Sequence, residues 1–304
     1  MTLLVTGADG QVGRELVALA RTRGVAAVGA TRAHLDITDG EAVRRVVGRA
    51  DVVVNAAAYT AVDRAEAEPE RAAAVNCDGA RTVAQACAGA GVPLVHLSTD
   101  YVFDGTKGAP YVPSDPVSPL GVYGRTKAAG EAAVRDALVE HVVVRTAWVF
   151  SEHTGFVRTI LRLARERASV SVVADQFGCP TPAAAVARAC LAAAEQAVAG
   201  RGVWGVYHYA GAPVASWFSL ATEAVRLARA LDPAIRGVVS PIPTSDYPTA
   251  AARPARVDLD TSAFREAYGV AAPDWRAGLV PVVRALVAEA DSSARAESAA
   301  GGAA

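Results

Sequence analysis

Lysine is nearly absent from this chain: of thirty basic residues only Lys107 and Lys127 are lysines, and the rest are arginines. A lysine retained against such a bias marks a position where arginine would not serve. Cysteine is scarce as well. Cys77, Cys87, Cys179 and Cys190 show no C-x-x-C spacing, which excludes a zinc site and a disulfide framework and leaves four reduced thiols. No uncharged apolar run reaches membrane-spanning length, and the alanine-rich stretch 182–199 is interrupted by Arg188 and Glu195. The first residues lack a basic segment followed by an apolar one, so no signal peptide is expected and the cytoplasm is the expected location. Charge of one sign is missing too: thirty basic against thirty-one acidic residues give a net charge of −1. That balance excludes nucleic-acid binding by bulk charge, and neither a nucleic-acid nor a membrane partner is expected. What remains is 304 residues, 52% hydrophobic and 20% charged, enough for one large domain or two with a proper core.

The first half alternates short apolar runs with amphipathic stretches. Strands are predicted at Leu3–Val5, Val25–Ala30, Asp51–Asn55, Leu94–Ser98 and Val142–Arg145. Helices are predicted at Arg14–Arg23, Asp39–Gly48, Ala65–Gly91 and Tyr123–Leu138. Continuous apolar strands separated by helices imply an α/β fold, a doubly wound, Rossmann-type parallel sheet covered on both faces. After about Ser151 the pattern loosens, which predicts a smaller C-terminal substrate-binding domain. The expected division is 1–150 for dinucleotide binding and 151–290 mainly for substrate, some of it returning to the main sheet. A disordered tail is expected at 291–304.

Three motifs carry chemistry. The run Thr6-Gly7-Ala-Asp-Gly10-Gln11-Val12-Gly13 stands between a strand and a helix. Its glycines allow a tight turn and close approach of backbone to a pyrophosphate, which the helix N-terminus attracts. The second predicted strand ends without an acid but with Arg32, which favours a 2′-phosphate and hence NADPH, with NADH still usable. Asp36 stands a few residues on, within reach of the adenine end. The second motif is Tyr123-Gly-Arg-Thr-Lys127, whose i, i+4 spacing puts both side chains on one helix face. An ammonium ~4 Å from a phenol at an effective dielectric of about 20 stabilises tyrosinate by about 4 kcal/mol. That equals about 3 pKa units and would poise Tyr123 for proton transfer near neutrality. The third is Ser98-Thr99-Asp100-Tyr101, at the carboxyl end of a parallel strand, where ligands bind; Thr99 can donate to a substrate carbonyl beside Tyr123.

These residues resemble an extended short-chain dehydrogenase/reductase, specifically the dTDP-4-dehydrorhamnose reductase family. The matching stretches are TGADGQVG at 6–13, VNAAAYTAVDRAE at 54–66, STDYVFDG at 98–105, YGRTKAAGE at 123–131, RTAWVF at 145–150, DQFGCPT at 175–181 and YPTAAARP at 247–254. The resemblance implies that Tyr123 is the proton donor, Lys127 its partner and ribose ligand, and Thr99 the third catalytic residue. It places Gly10, Gln11 and Val12 on the pyrophosphate, Asp36 and Ile37 on the adenine, and Ala58, Tyr59 and Thr60 beside the nicotinamide ribose. Thr99, Asp100, Tyr101 and Trp148 fall to the sugar nucleotide, Trp148 as an apolar wall.

The implied activity is NAD(P)H-dependent reduction of the 4-keto group of a dTDP-4-keto-6-deoxy-L-sugar, giving dTDP-L-rhamnose or a related deoxysugar. A dihydrostreptose-forming reductase in antibiotic biosynthesis is the sibling alternative. A nucleotide-sugar epimerase and a non-catalytic binding subunit are the others, and stoichiometric consumption of cofactor separates the reductases from both. The resemblance allows a homodimer. Some members bind Mg2+ between subunits through glutamates; Glu15 is present, but residues 183–186, and 284–287 of the C-terminal helix, offer alanine where partners are expected, so neither a metal site nor metal-linked dimerisation is expected here. A serine usual before Leu259 is also missing.

Overall fold

Runs of Val and Leu without polar alternation can only be strands covered on both faces. They are so placed in the computed structural model, which describes residues 1–290 in full and the backbone of the last helix to Gly301. The tail expected at 291–304 falls outside the fully described residues. In chain order the first half reads β1 (Thr2–Thr6), α1 (Gln11–Thr22), β2 (Ala26–Ala30), α2 (Gly40–Val47), β3 (Val52–Asn55), α3 (Val62–Ala67), α4 (Pro69–Ala73), a π-helical turn (Ala74–Gly79), α5 (Ala80–Ala90), β4 (Leu94–Thr99), a 3-10 turn (Asp100–Val102), α6 (Val122–Ala137) and β5 (His141–Thr146). The second half continues with β6 (Val149–Phe150), α7 (Phe156–Glu166), β7 (Ser169–Val173), β8 (Phe177–Gly178), β9 (Thr181–Pro182), α8 (Ala183–Val198), β10 (Gly205–His208), β11 (Ala215–Ser216), α9 (Trp217–Arg229), β12 (Val238–Ile242), α10 (Ser262–Tyr268) and α11 (Trp275–Gly301).

Six parallel strands form the central sheet in the order β10-β5-β4-β3-β1-β2. The order reverses between β1 and β3, which opens a crevice at their carboxyl ends. Alternate residues face opposite ways. Leu3, Val5, Val52 and Val54 pack on Leu16 of α1 and the alanines of α8. Leu4, Val53 and Leu94 pack on Val43 of α2, Val83 of α5 and Val134 of α6. A second core forms from Val157, Ile160, Leu220, Leu279 and Val283, on α7, α9 and α11, over Val170 and Val172 of β7. The chain after Phe150 therefore serves both units, since β10 forms an edge of the main sheet and α8 covers one of its faces.

The single helix predicted over 65–91 is instead four pieces: the end of α3, α4, the π-helical turn and α5. Pro69 starts α4, because the residue before a proline avoids the helical region. The π-helical turn then points Asn76 inward, buried at 1% exposure. All four cysteines are free. Burial pushes the thiols of Cys87, Cys179 and Cys190 up to about 12, so they are inert near neutrality. Among the described residues, no helix is long and apolar enough to cross a membrane.

Candidate active site

The crevice between β1 and β3 is shaped by glycine. Gly7 turns with φ +66°, and a Cβ there would lie 2.7 Å from the Ala57 backbone. A Cβ on Gly13 would lie 2.2 Å from the Gly7 carbonyl oxygen, and one on Gly10 3.2 Å from it. Gly10 leaves the start of α1 with no side-chain cap, and its first turn holds no acid. The first N–H groups of a helix have no partner within it, so this end offers a bare donor cradle that fits a pyrophosphate. Gln11 is tied sideways, its Oε1 accepting from the Ser151 hydroxyl at 2.9 Å. Val12 is buried in the core, which leaves its backbone for a ligand.

Arg32 and Asp36 sit together beyond the end of β2, 4.0 Å apart and largely exposed. Asp36 accepts from the backbone and hydroxyl of Thr38, and these bonds hold its carboxyl below the usual range. Ile37 is buried against Gly79, so its side chain belongs to the core. On the other side of the crevice Ala58 and Tyr59 are half-buried and Thr60 is exposed. Asn76 fixes this loop, accepting from the Tyr59 N–H at 2.8 Å and donating to its carbonyl at 3.1 Å. The same amide donates to Thr126 on α6 at 3.1 Å, joining the loop after β3 to α6.

Thr99 ends β4 beside Tyr123. Its hydroxyl donates to Asp100 Oδ1 at 3.1 Å and accepts from the Tyr101 N–H at 3.2 Å. Tyr101 meets Tyr123 edge to face at 5.6 Å. Burial pushes the Tyr123 phenol up to about 12; Asp100 adds to this and a hydrogen bond with Thr99 opposes it. The expected lowering of Tyr123 by Lys127 is therefore corrected. Lys127 Nζ donates to the Leu97 carbonyl at 2.7 Å, and burial outweighs any help to tyrosinate. Burial also draws Lys127 down to about 8, with Glu131 opposing, and pushes Asp100 up to about 7.

Asp100, Tyr101 and Trp148 line one cleft with Gln176, Trp217 and Arg253. Trp148 adopts φ +43°, costly for a bulky residue, and stacks on Trp217 at 3.6 Å. Gly178 permits this, since a Cβ there would lie 2.5 Å from the indole. Trp148, expected as an apolar wall, is thus one of a pair of stacked rings. Arg253 is clamped by Asp63 of α3 at 2.8 and 2.7 Å.

Sequence reading missed Asn76, Trp217 and the Asp63–Arg253 clamp, which become partners only through packing; Asp63 and Arg253 both stand within matching stretches, at 54–66 and 247–254. It also missed that Glu15 has neighbours. Glu15, Glu152 and His153 bring ligand atoms within 4.8 Å of one another. These line or flank a cavity of ≈ 520 Å³ that also holds Arg188. Two carboxylates and an imidazole are three possible ligands with a guanidinium beside them, and no step is assigned to a metal.

A parallel sheet with a glycine cradle at its switch point and a Tyr-x-x-x-Lys helix beside it defines a Rossmann-type oxidoreductase. The family model described as RmlD substrate binding domain matches residues 1–288. A dTDP-4-dehydrorhamnose reductase of Burkholderia thailandensis is 43% identical over 303 residues, covering 95% of this chain and 100% of the relative. A dTDP-4-keto-6-deoxy-D-glucose reductase of Streptomyces niveus is 42% identical over 290 residues, covering 94% and 98%. Among solved structures, the dTDP-4-dehydrorhamnose reductase of Bacillus anthracis in complex with NADP superposes with a TM-score of 0.86 at 33% identity, covering 92% and 98%. The chain belongs to the dTDP-4-dehydrorhamnose reductase family.

Proposed function

We propose that the protein uses NADPH to reduce the 4-keto group of a dTDP-linked 4-keto-6-deoxy-L-sugar, with dTDP-L-rhamnose as the product. The observation that carries this is the placement of Thr99, Asp100 and Tyr123 together at the end of β4, beside a cleft walled by Trp148 and Trp217. The Streptomyces niveus relative supports a second reading, in which the keto sugar belongs to the D-gluco series. Residues 1–150 hold the cofactor, and 151–290 mainly serve the sugar nucleotide, with α8 and β10 returning to the main sheet.

When bound, NADPH supplies the hydride to C4. The glycine cradle and the first turn of α1 receive the pyrophosphate, and Arg32 pairs with the 2′-phosphate. Tyr123 keeps its proton at neutral pH, which suits a donor to the developing alkoxide. Thr99 orients the carbonyl oxygen. Lys127 stays charged near neutrality, and Nζ has two N–H groups left after Leu97 for ribose hydroxyls.

The test is oxidation of NADPH by the purified protein with dTDP-4-keto-6-deoxy sugars. Tyr123→Phe should lower kcat by about 10²–10⁴-fold while the Kd for NADPH stays near its original value. Near-normal turnover would remove Tyr123 from its role. Arg32→Ala should erase most of a modest preference for NADPH, read as the ratio of kcat/KM for the two cofactors. A strong preference for NADH in the unaltered protein would overturn the role of Arg32.

A further inference from the structure

Three consecutive residues at the end of β4 meet three residues spaced one turn apart on α6. The Leu97 carbonyl accepts from Lys127 at 2.7 Å, the Ser98 hydroxyl donates to Glu131 Oε1 at 2.5 Å, and the Thr99 hydroxyl bonds Tyr123. Tyr123, Lys127 and Glu131 stand at i, i+4 and i+8 on one face. Glu131 has a second anchor in Arg145 on β5, the cross-strand neighbour of Ser98. Arg145 Nε and Nη2 reach the carboxylate at 3.0 and 2.7 Å, and both side chains are 4% exposed. Arg145 continues to the Pro113 carbonyl at 3.2 Å and lies over Phe103.

A buried ion pair contributes little to stability that an apolar pair of the same volume would not. Its location, one turn beyond Lys127, gives it another use. We propose that Glu131, held by Ser98 and Arg145, is a positioning residue for the reduction: it fixes the register of α6 on β4 and keeps Lys127 an ammonium beside Tyr123. This rests on the reading of Tyr123 and Lys127 as the proton-donor pair. The titratable and charged groups around Lys127 are few. Tyr123 and Glu131 share its helix, and Asp100 stands in the turn after β4. His96 on β4 is kept neutral by burial, with the charge of Lys127 adding to this. Arg145 comes from β5, paired to Glu131. Of these, Glu131 is the group that opposes loss of the Lys127 proton.

The test is the pH profile of the full-length Glu131→Gln protein, with reduction of the dTDP-4-keto-6-deoxy sugar as the readout. An opposite charge at close range moves a pKa by about 1–3 units. The alkaline limb of kcat should therefore fall by about one pH unit, with kcat at pH 8 down about fivefold and KM little changed. An unmoved limb with kcat within about twofold would overturn the proposal. If Glu131→Gln does not fold because Arg145 is left unpaired, the double variant Glu131→Gln, Arg145→Met removes that unpaired guanidinium. It should show the same acidward shift, and an unmoved limb there would equally overturn the proposal. Tyr123→Phe separates the two readings. If that variant is active, the assignment of the proton donor fails; if it is inactive while Glu131→Gln is normal, only the role of Glu131 fails.

Discussion

A carboxyl buried at 3% exposure cannot ionise as it does in water, and Asp100 shows the consequence. Burial raises it to about 7, against 3.8 in the unfolded chain, with the Thr99 hydroxyl opposing. Between those values the native state holds a proton that the unfolded state has lost. The contribution of Asp100 is thus present at low pH and is withdrawn as pH rises towards 7, by up to about 4 kcal/mol. Asp100→Asn removes this titration. Its unfolding free energy in urea should exceed that of the unaltered protein by about 1–4 kcal/mol at pH 8 and differ little at pH 4. An equal difference at both pH values would show that Asp100 ionises freely. The identity of such residues was legible in the sequence, but their ionisation was not. Tyr123 and Lys127 declare themselves by spacing and by the rarity of lysine. Whether the ammonium faces the phenol or a carbonyl depends on how β4 packs beneath α6, which no local pattern encodes.

At the scale of elements, α6 does the positioning. It has no side chain of its own capping its start; Glu66 of α3 supplies the cap, accepting from the Val122 N–H at 2.7 Å. Gly124 lets the first turn press on the chain after β4, since a Cβ there would lie 2.2 Å from the Tyr101 carbonyl oxygen. By helix propensity alone Gly124→Ala should stabilise by about 1 kcal/mol. Here the overlap should prevail, destabilising the protein by about 1–3 kcal/mol and lowering kcat by moving Tyr123. Gly89→Ala in α5, with nothing within 4 Å, is the control and should stabilise by about 0.4–1 kcal/mol. Melting temperatures and turnover of the two variants decide the matter, and parallel behaviour would refute the packing argument. Apolar runs and glycine spacing made the alternation of strands and helices readable, including the stop of α5 at Gly91. The break at Pro69 and the π-helical turn were not readable as one design, because the turn exists to bring Asn76 to Tyr59 and Thr126, contacts that lie 17 and 50 residues away.

At the scale of the whole molecule, buried histidines are unevenly placed. His96, His141 and His208 lie on β4, β5 and β10, three neighbouring strands of the main sheet. Burial holds all three below the ordinary histidine value, His96 well below it and His208 at about 3. The apolar core formed by α7, α9, α11 and β7 contains none among the described residues. A histidine with a depressed native value is neutral in the fold and charged in the unfolded chain below about 6.5. The unfolded state then binds more protons, so stability falls as pH falls through that range. Asp100 and Glu15 act in the opposite sense, so three histidines against two carboxyls leave an excess of about one to two protons taken up on unfolding. Each is worth about 1.4 kcal/mol per pH unit, so the unfolding free energy should drop by about 1.5–3 kcal/mol between pH 6 and pH 5. Urea titrations at the two values measure this, and a flat or rising stability would mean that the histidines are not neutral in the fold. Because the charge enters through one sheet, loss should begin there. Hydrogen exchange at pH 5 should speed first in β4, β5 and β10, while α7, α9 and α11 stay protected. Simultaneous loss in both units would show that the core around α9 depends on the sheet for its stability.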